Sequence, residues 1–394
     1  MNHRLITTLK DPKQFVDDAI QFLQKHAKGK KVFCALSGGI DSSTTYLLLK
    51  KAQINTYPVF IDHGLMRIIR GAEEREHIKK RFPDVIILDI REQFLPQIFD
   101  EGDAEGKRKL FKKAYSDTIS KVVKEEQCDL LADGTILPDI EESFGVQITD
   151  IKETMSIEEE LELKSQNITG FVKSQHNVEI EYDVEATLQP VASLTKAEVR
   201  KVLEYLGMPQ DLVYRKAFPG PALSARIVGP VTRENLTFEK KIHDLVESTV
   251  DDFYKAKFGK SMIINENGLQ EPFQIFAATI EDVLNTKVTG LVEGKRTYEV
   301  PLCVKCQWNY EKLTKMASTI TEFARVFYEL GGNETGQYDI VIRCINSKDA
   351  RTAVVTNLPL NLLHDLRDKL LQLPETKNVF YDVTPKPPAT IEYV

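Results

Sequence analysis

The stretch "FCALSGGIDSS" (residues 33–43) sets two glycines and a run of small hydroxylic and acidic side chains directly behind an apolar segment. Residues 31–36 read as a buried strand, and a helix is expected from near Ser42, continued by Tyr46, Leu47, Leu48 and Leu49. The turn between them exposes much main chain. Glycine lets that chain take positive φ and come close to a ligand. Unpaired N–H groups at the start of a helix carry partial positive charge and suit an anion such as a phosphate. The serine hydroxyls add donors, whereas Asp41 would be repelled by phosphate unless it caps the helix or helps hold Mg²⁺. The stretch is not the G-x-x-x-x-G-K-S/T phosphate loop. The nearest approach to that pattern, Gly290 to Lys295, is one residue short and reads as a turn.

Working outward, "KVFCAL" (31–36), "TYPVFID" (56–62), "DVIILDI" (84–90) and "CDLLADG" (128–134) each fit a buried strand. Most are separated by segments that can hold a helix, such as 42–52 and 107–124. This alternation predicts an α/β domain with a doubly wound parallel sheet, its ligands at the carboxyl ends of the strands. Asp11-Pro12 opens a helix ahead of it. "TKAEVRKVLEYLG" (195–207) is amphipathic, with Val199, Val202, Leu203 and Leu206 on one side. Residues 150–166 are acidic without a clear apolar stripe and read as a solvated surface insertion or a mobile lid. The rigid "AFPGPAL" (217–223) marks the expected boundary, dividing 1–222 from 223–394. Beyond it, helical segments 233–256 and 311–330 and "LNLLHDLRDKLLQL" alternate with "RTYEVPLCVKC", "YDIVIRCI" and "NVFYDVT". They predict a second, smaller α+β domain with an antiparallel sheet.

A net charge of -7 over 394 residues argues against non-specific attraction to nucleic acid or anionic membrane. No apolar stretch approaches about 18 residues, and the opening residues lack a signal-peptide core, so a cytoplasmic location is expected. Cys34, Cys128, Cys303, Cys306 and Cys344 are odd in number and scattered, as reduced thiols are. Cys303 and Cys306 form a lone C-x-x-C with nothing nearby to complete a zinc site, and read as apolar strand residues.

The strand–SGGxDSS–helix arrangement resembles the signature of the PP-loop ATP pyrophosphatases, which cleave ATP to AMP and pyrophosphate. "VFIDHGLMR" (59–67), "GTILPDIEES" (134–143), "VKSQHNV" (172–178), "VYRKAFPGPALSARIVG" (213–229) and "VTPKPPATIEYV" (383–394) then follow in order. Together they resemble the ATP-pyrophosphatase and dimerisation domains of GMP synthases over nearly the whole chain. The resemblance implies that the C2 oxygen of XMP attacks the α-phosphorus of ATP, and that ammonia then displaces AMP to give GMP. It implies a pyrophosphate cradle at Ser37, Gly38, Gly39, Asp41, Ser42 and Ser43, with Asp62 near the nucleoside. Asp139 and Glu142 would stand at the reacting centre, Asp41 and Asp139 near Mg²⁺, and Lys173 against phosphate charge. Arg226, Arg343, Lys386, Ile391 and Glu392 would serve the acceptor.

The chain departs from the family pattern on the acceptor side, while the ATP loop is intact. "KSHHNVGG" reads "KSQHNVEI", so a lid histidine is Gln175, and the last residues are "EYV" for "EWE". "NRVVYD" reads "KNVFYD", which puts Asn378 where an arginine would contact the XMP phosphate; on a regular strand Lys377 faces the other way. Ala222 replaces a glycine. Beside XMP amination, two readings therefore stay open: a PP-loop paralogue that adenylates and aminates another acceptor, or a nucleotide-binding protein without turnover. The chain opens at the linker helix, ahead of which two-domain GMP synthases carry a glutaminase domain, and no cysteine sits in a nucleophile elbow. Ammonia from solution or from a separate glutaminase subunit is expected. The resemblance further implies a homodimer.

Overall fold

A computed structural model describes residues 1–166, 182–259, 273–292, 294–333, 335–347 and 352–394. Lys173 and Gln175 lie outside the described residues. Two compact units make up the chain: Met1–Asp62, Arg75–Ile90 and Lys113–Arg215 form the first, and His63–Glu74, Arg91–Lys112 and Lys216–Val394 the second. The break at 215/216 falls just before the expected 222/223, and two segments from the first half of the chain belong to the second unit.

The first unit is built on a seven-stranded sheet of β1 (Asn2–Arg4), β2 (Lys31–Ala35), β3 (Asn55–Asp62), β4 (Ile86–Asp89), β5 (Leu130–Ala132), β6 (Thr154–Met155) and β7 (Ala186–Gln189). Their order is β4-β3-β2-β5-β7-β1-β6, parallel throughout except that β6 runs antiparallel to β1. Val32, Phe33, Cys34, Val59, Phe60, Leu130 and Leu131 are buried, as a sheet covered on both faces requires. Helix α1 (Pro12–Ala27) starts where Asp11 accepts the Gln14 amide. Helix α2 (Ile40–Lys51) begins two residues earlier than the sequence suggests. Gly39 in extended conformation is its cap, so Asp41 and Ser42 already lie in the first turn.

The acidic segment 150–166 is largely exposed, as a surface insertion would be, but Ile151, Met155 and Glu160 are buried. It forms β6 and a helix, Ile157–Gln166, whose first turn takes Glu158, Glu159 and Glu160. Glu160 is buried against Arg4 at 2.8 Å, and Ile151 and Met155 pack with Ile140, Phe144 and Ala192. The stripe escapes notice in the sequence because one of its buried members is a charge, paired from a residue near the opposite end of the unit's sequence.

The second unit holds a sheet of β8 (Ile227–Val228), β9 (Phe273–Ile280), β12 (Leu302–Val304), β13 (Val326–Gly332), β14 (Tyr338–Asn346), β15 (Val354–Val355) and β16 (Thr376–Asp382). Separately, β10 (Val288–Val292) and β11 (Lys295–Glu299) pair as a hairpin, which is what the short Gly290–Lys295 pattern encodes. The order is β8-β9-β14-β16-β13-β12, with β15 on β14. The sheet is mixed and not antiparallel: β8·β9, β14·β16 and β12·β13 run parallel. The helix expected over 311–330 stops at Thr319, and 326–332 is a strand paired antiparallel with β16. Thr319, Ile320 and Thr321 are β-branched and weaken the helix there, while Val326 and Phe327 find a buried sheet position. The long helix Arg233–Phe258 is boxed by Thr232 and Asn235 and closed by Gly259 in left-handed conformation.

Candidate functional site

At the carboxyl end of β2 the chain turns through Ser37, Gly38 and Gly39 into α2. Gly38 has φ +77°, and a β-carbon there would stand 2.4 Å from Ile78 Cδ1 and 2.8 Å from Arg215 Nη1. Only glycine fits. The Ser43 amide makes the first helical bond, to Gly39 O at 3.0 Å, so the amides of Ile40, Asp41 and Ser42 have no acceptor among the described residues. These three donors form a seat for an anion. Ser37 Oγ accepts from the Gly39 amide and meets Ser42 Oγ at 3.0 Å, which stiffens the turn. Ser43 corrects the expectation. Its amide is taken by the helix and its hydroxyl is fully buried, so it offers nothing to a ligand.

Cations crowd the loop. Arg215 Nη1 donates to Gly38 O, and Lys196 Nζ pairs with Asp41 Oδ2. Arg200 donates to Val213 O at 3.2 Å; burial draws its pKa down, while Tyr214 and Asp41 raise it. Pairing with Lys196 explains how an acidic residue sits beside a phosphate seat, and leaves Asp41 Oδ1 without a hydrogen-bond partner among the described residues. On the neighbouring strands, Asp62 ends β3 opposite Asp89 of β4, and Arg75 Nη1 bridges them at 3.2 and 3.3 Å. Beyond β5, a β-carbon on Gly134 would lie 2.8 Å from the Ser42 amide nitrogen, so this glycine lets the 133–135 turn close on the loop. Asp133 accepts from the Thr135 amide at 3.0 Å and from Gln189 Nε2 at 3.2 Å. The sheet order changes direction at β2, and ligands of such sheets bind at that crevice. Asp139 and Glu142 lie on the helix Leu137–Phe144, where Asp139 accepts from the Ile136 amide at 3.1 Å and so caps its own helix.

In the second unit the segment 382–394 is held by two buried arginines. Arg325 Nη1 and Arg343 Nη1 both donate to Asp382 Oδ2, at 2.8 and 2.7 Å, and Tyr393 adds its hydroxyl at 2.9 Å. Burial works against the Asp382 carboxylate, but Arg343 and Arg325 outweigh it and hold its pKa below the usual range. Arg325 also donates to Thr289 O, Thr390 O and Glu392 O, and Arg343 to Ile391 O, Thr390 O and Thr384 O. Arg343 is therefore not a free acceptor contact. Wholly buried and ringed by protein acceptors, it fastens the tail. Arg226, also buried, lies 4.1 Å from the Phe276 ring centre and donates to Glu392 Oε2 at 3.3 Å. His243 Nδ1 is 3.0 Å from Arg226 Nη1; burial, then Arg226, pulls this histidine down to about 4. Lys386 pairs main chain to main chain with Ala353, at 2.8 and 3.0 Å.

At the positions that depart from the family pattern, Asn378 Nδ2 donates to Asp339 Oδ1 at 2.7 Å. The β14·β16 register passes from Thr376 to Asn378, so Lys377 sits in a bulge where strict alternation is interrupted. Ala222 has φ +55°, the left-handed region that a glycine occupies at no steric cost.

Thus the structure brings Ser37, Gly38, Gly39, Asp41 and Ser42 together, sets Asp62 on the adjacent strand end, and gathers Arg226, Ile391 and Glu392 around the tail. Lys196, Arg200, Arg215, Arg325 and Asp382 were missed. Lys196 and Arg200 had a faint signal, being one helical turn apart at the start of an amphipathic helix. A buried charge network such as Arg325–Asp382–Arg343 leaves no local pattern.

The model of the GMP synthase C terminal domain family matches residues 307–393. A glutamine-hydrolyzing GMP synthase subunit of Sulfurisphaera tokodaii is 30% identical over 397 residues, covering 97% of this chain and 99% of that protein. The corresponding subunit of Methanopyrus kandleri is 30% identical over 390 residues with the same coverage. Among solved structures, NMN synthetase from Francisella tularensis covers 66% of this chain and 90% of its own, at 12% identity and a TM-score of 0.35. With end-to-end similarity to these subunits, the chain belongs to their family within the glutamine-hydrolyzing GMP synthases.

Proposed function

We propose that this chain catalyses the ATP-dependent amination of XMP to GMP, forming a C–N bond and releasing AMP and pyrophosphate. The observation that carries the reading is the row of amides at Ile40, Asp41 and Ser42, unpaired among the described residues and walled by Lys196 and Arg215. It stands in a chain homologous from end to end to subunits of glutamine-hydrolyzing GMP synthases. The C2 oxygen of XMP attacks the α-phosphorus, and the bond to the bridging oxygen of pyrophosphate breaks. The amides and flanking cations receive the charge of the leaving group. Ammonia then adds at C2, AMP departs with the oxygen, and the nitrogen loses its extra proton.

Asp139, Glu142 and Lys173 are assigned to the reacting centre, and Lys386, Ile391 and Glu392 to the acceptor, with Arg343 holding the segment that carries them. Among the described residues no group of three or more His, Cys, Asp or Glu is placed to hold a metal. Mg²⁺ at nucleotides takes one or two carboxylates and otherwise phosphate and water, and the unpaired Asp41 Oδ1 suits that demand. When bound, the ion would offset phosphate charge. Among the described residues, no helix is long and apolar enough to cross a membrane. Ammonia from a separate glutaminase subunit and a homodimer built through the second unit complete the proposal.

One observation favours a second reading. Asn378, in the place of a phosphate-binding arginine, is already tied to Asp339, so a different acceptor would be adenylated and aminated at the same loop. A pyrophosphate-release assay with ATP, XMP and ammonium separates the readings. Release with formation of GMP is expected. Release only with another acceptor selects the second reading, and nucleotide binding without release removes both. Turnover on glutamine by the purified single chain would contradict the separate glutaminase.

A further inference from the structure

Lys107 lies near the start of the helix Ala104–Glu125 and is 1% exposed. Among the described residues its Nζ donates only to main-chain carbonyls: Ile227 O at 2.6 Å, Gly229 O at 2.7 Å and Ser224 O at 3.3 Å. Three acceptors need three N–H donors, which the ammonium has; a neutral amine would turn its lone pair on one of them. Burial draws the group down, to about 7, against Glu101 and Asp103, which raise it. The three carbonyls bracket Arg226 in sequence, so the ammonium sits as a small coordinated cation would, beneath the segment that presents that arginine. Asp100 and Val231 strap the same stretch, Asp100 N donating to Val231 O at 2.8 Å and Val231 N to Glu101 O at 3.1 Å. Arg226 is then held from both sides of its own backbone, by its amide to Leu223 O at 2.9 Å and its carbonyl to the Thr279 amide at 3.0 Å. Its side chain reaches Glu392 of the tail.

We infer that Lys107 is a positioning residue for the acceptor: a tethered cation that sets the 224–229 segment so that Arg226 engages Glu392, governing affinity for XMP and not for ATP. The inference rests on the proposed function. The test is direct binding, without turnover, of XMP and of ATP to the full chain and to Lys107→Ala. XMP affinity is expected to fall about tenfold, while ATP affinity stays within about twofold. Propylammonium, which replaces the atoms removed, is expected to restore XMP binding in the variant and leave the native chain unaffected. Should Lys107→Ala not fold, Lys107→Met refills the stem and carries the same expectation of selective loss. Unchanged XMP affinity, an equal fall for ATP and XMP, or no rescue by propylammonium would overturn the inference alone. A native chain that binds ATP and not XMP would overturn the functional reading and this inference with it.

Discussion

The loop of the first unit and the tail of the second solve opposite problems with the same chemistry. At 37–43 the main chain is left open: three amides lack partners among the described residues, and glycine at 38 keeps side chains out of the way. At 382–394 nearly everything is closed, with two buried arginines donating to one carboxylate and to five carbonyls of the surrounding chain. An open row of amides suits an anion such as a phosphate. A closed network holds one segment in one place, as the acceptor role proposed for Lys386, Ile391 and Glu392 would require. On the proposed function, the open loop takes the nucleotide and the closed tail the acceptor.

The sharpest way to break this contrast is Asp382→Asn. It leaves two buried guanidinium groups without their shared charge and should cost about 3–5 kcal/mol, read by denaturant titration, with the loop's ATP binding retained. A stable variant would show that the network is ornamental to the tail. Acid should act next, and on both units, since burial also holds His3 of the first unit down to about 4. Burial holds His63 down to about 3 and His243 to about 4, against 6.5 for an exposed imidazole. Between 6.5 and about 4 the unfolded chain then binds more protons than the folded one, so stability is present above that window and lost as pH falls through it. The slope is about 1.4 kcal/mol per pH unit for each of His63 and His243. His63→Gln should flatten it; an unchanged slope would remove the assignment.

Lys196→Met tests the loop's side of the contrast. It strips Asp41 of its partner and leaves a bare carboxylate at the phosphate seat, for an expected loss of about 2 kcal/mol in kcat/KM for ATP without a matching loss of fold. Gly38→Ala imposes a left-handed alanine and a clash with Ile78 and Arg215. It should raise KM for ATP about tenfold, reflecting strain of about 1–2 kcal/mol. Pyrophosphate release at unchanged KM would mean that the loop tolerates a side chain. The smallest effect has the opposite sign. Ala222→Gly relieves a left-handed alanine and should stabilise the protein by about 0.5–1 kcal/mol, seen as a higher thermal midpoint.

Much of the first unit was legible because its signals are local. Apolar runs of four to seven residues between helices specify buried parallel strands, and Gly-Gly followed by small polar residues specifies a phosphate seat. Where reading failed, distance in sequence was the reason. In the 311–330 segment β-branched Thr319, Ile320 and Thr321 only weaken the helix, and pairing with β12 and with β16, some fifty residues on, makes 326–332 a strand. The 150–166 segment shows no stripe until Arg4 arrives to neutralise Glu160. By itself, the sequence determined the α/β class, the anion seat and the family, since each depends on residues adjacent along the chain. Tertiary structure alone decided that Ser43 is buried, that Arg343 fastens the tail, that Lys196 balances Asp41 and that Lys107 underlies Arg226. The physical reason is common to all four. The sign and accessibility of a charge or hydroxyl are set by what packs against it, and that partner comes from elsewhere in the fold.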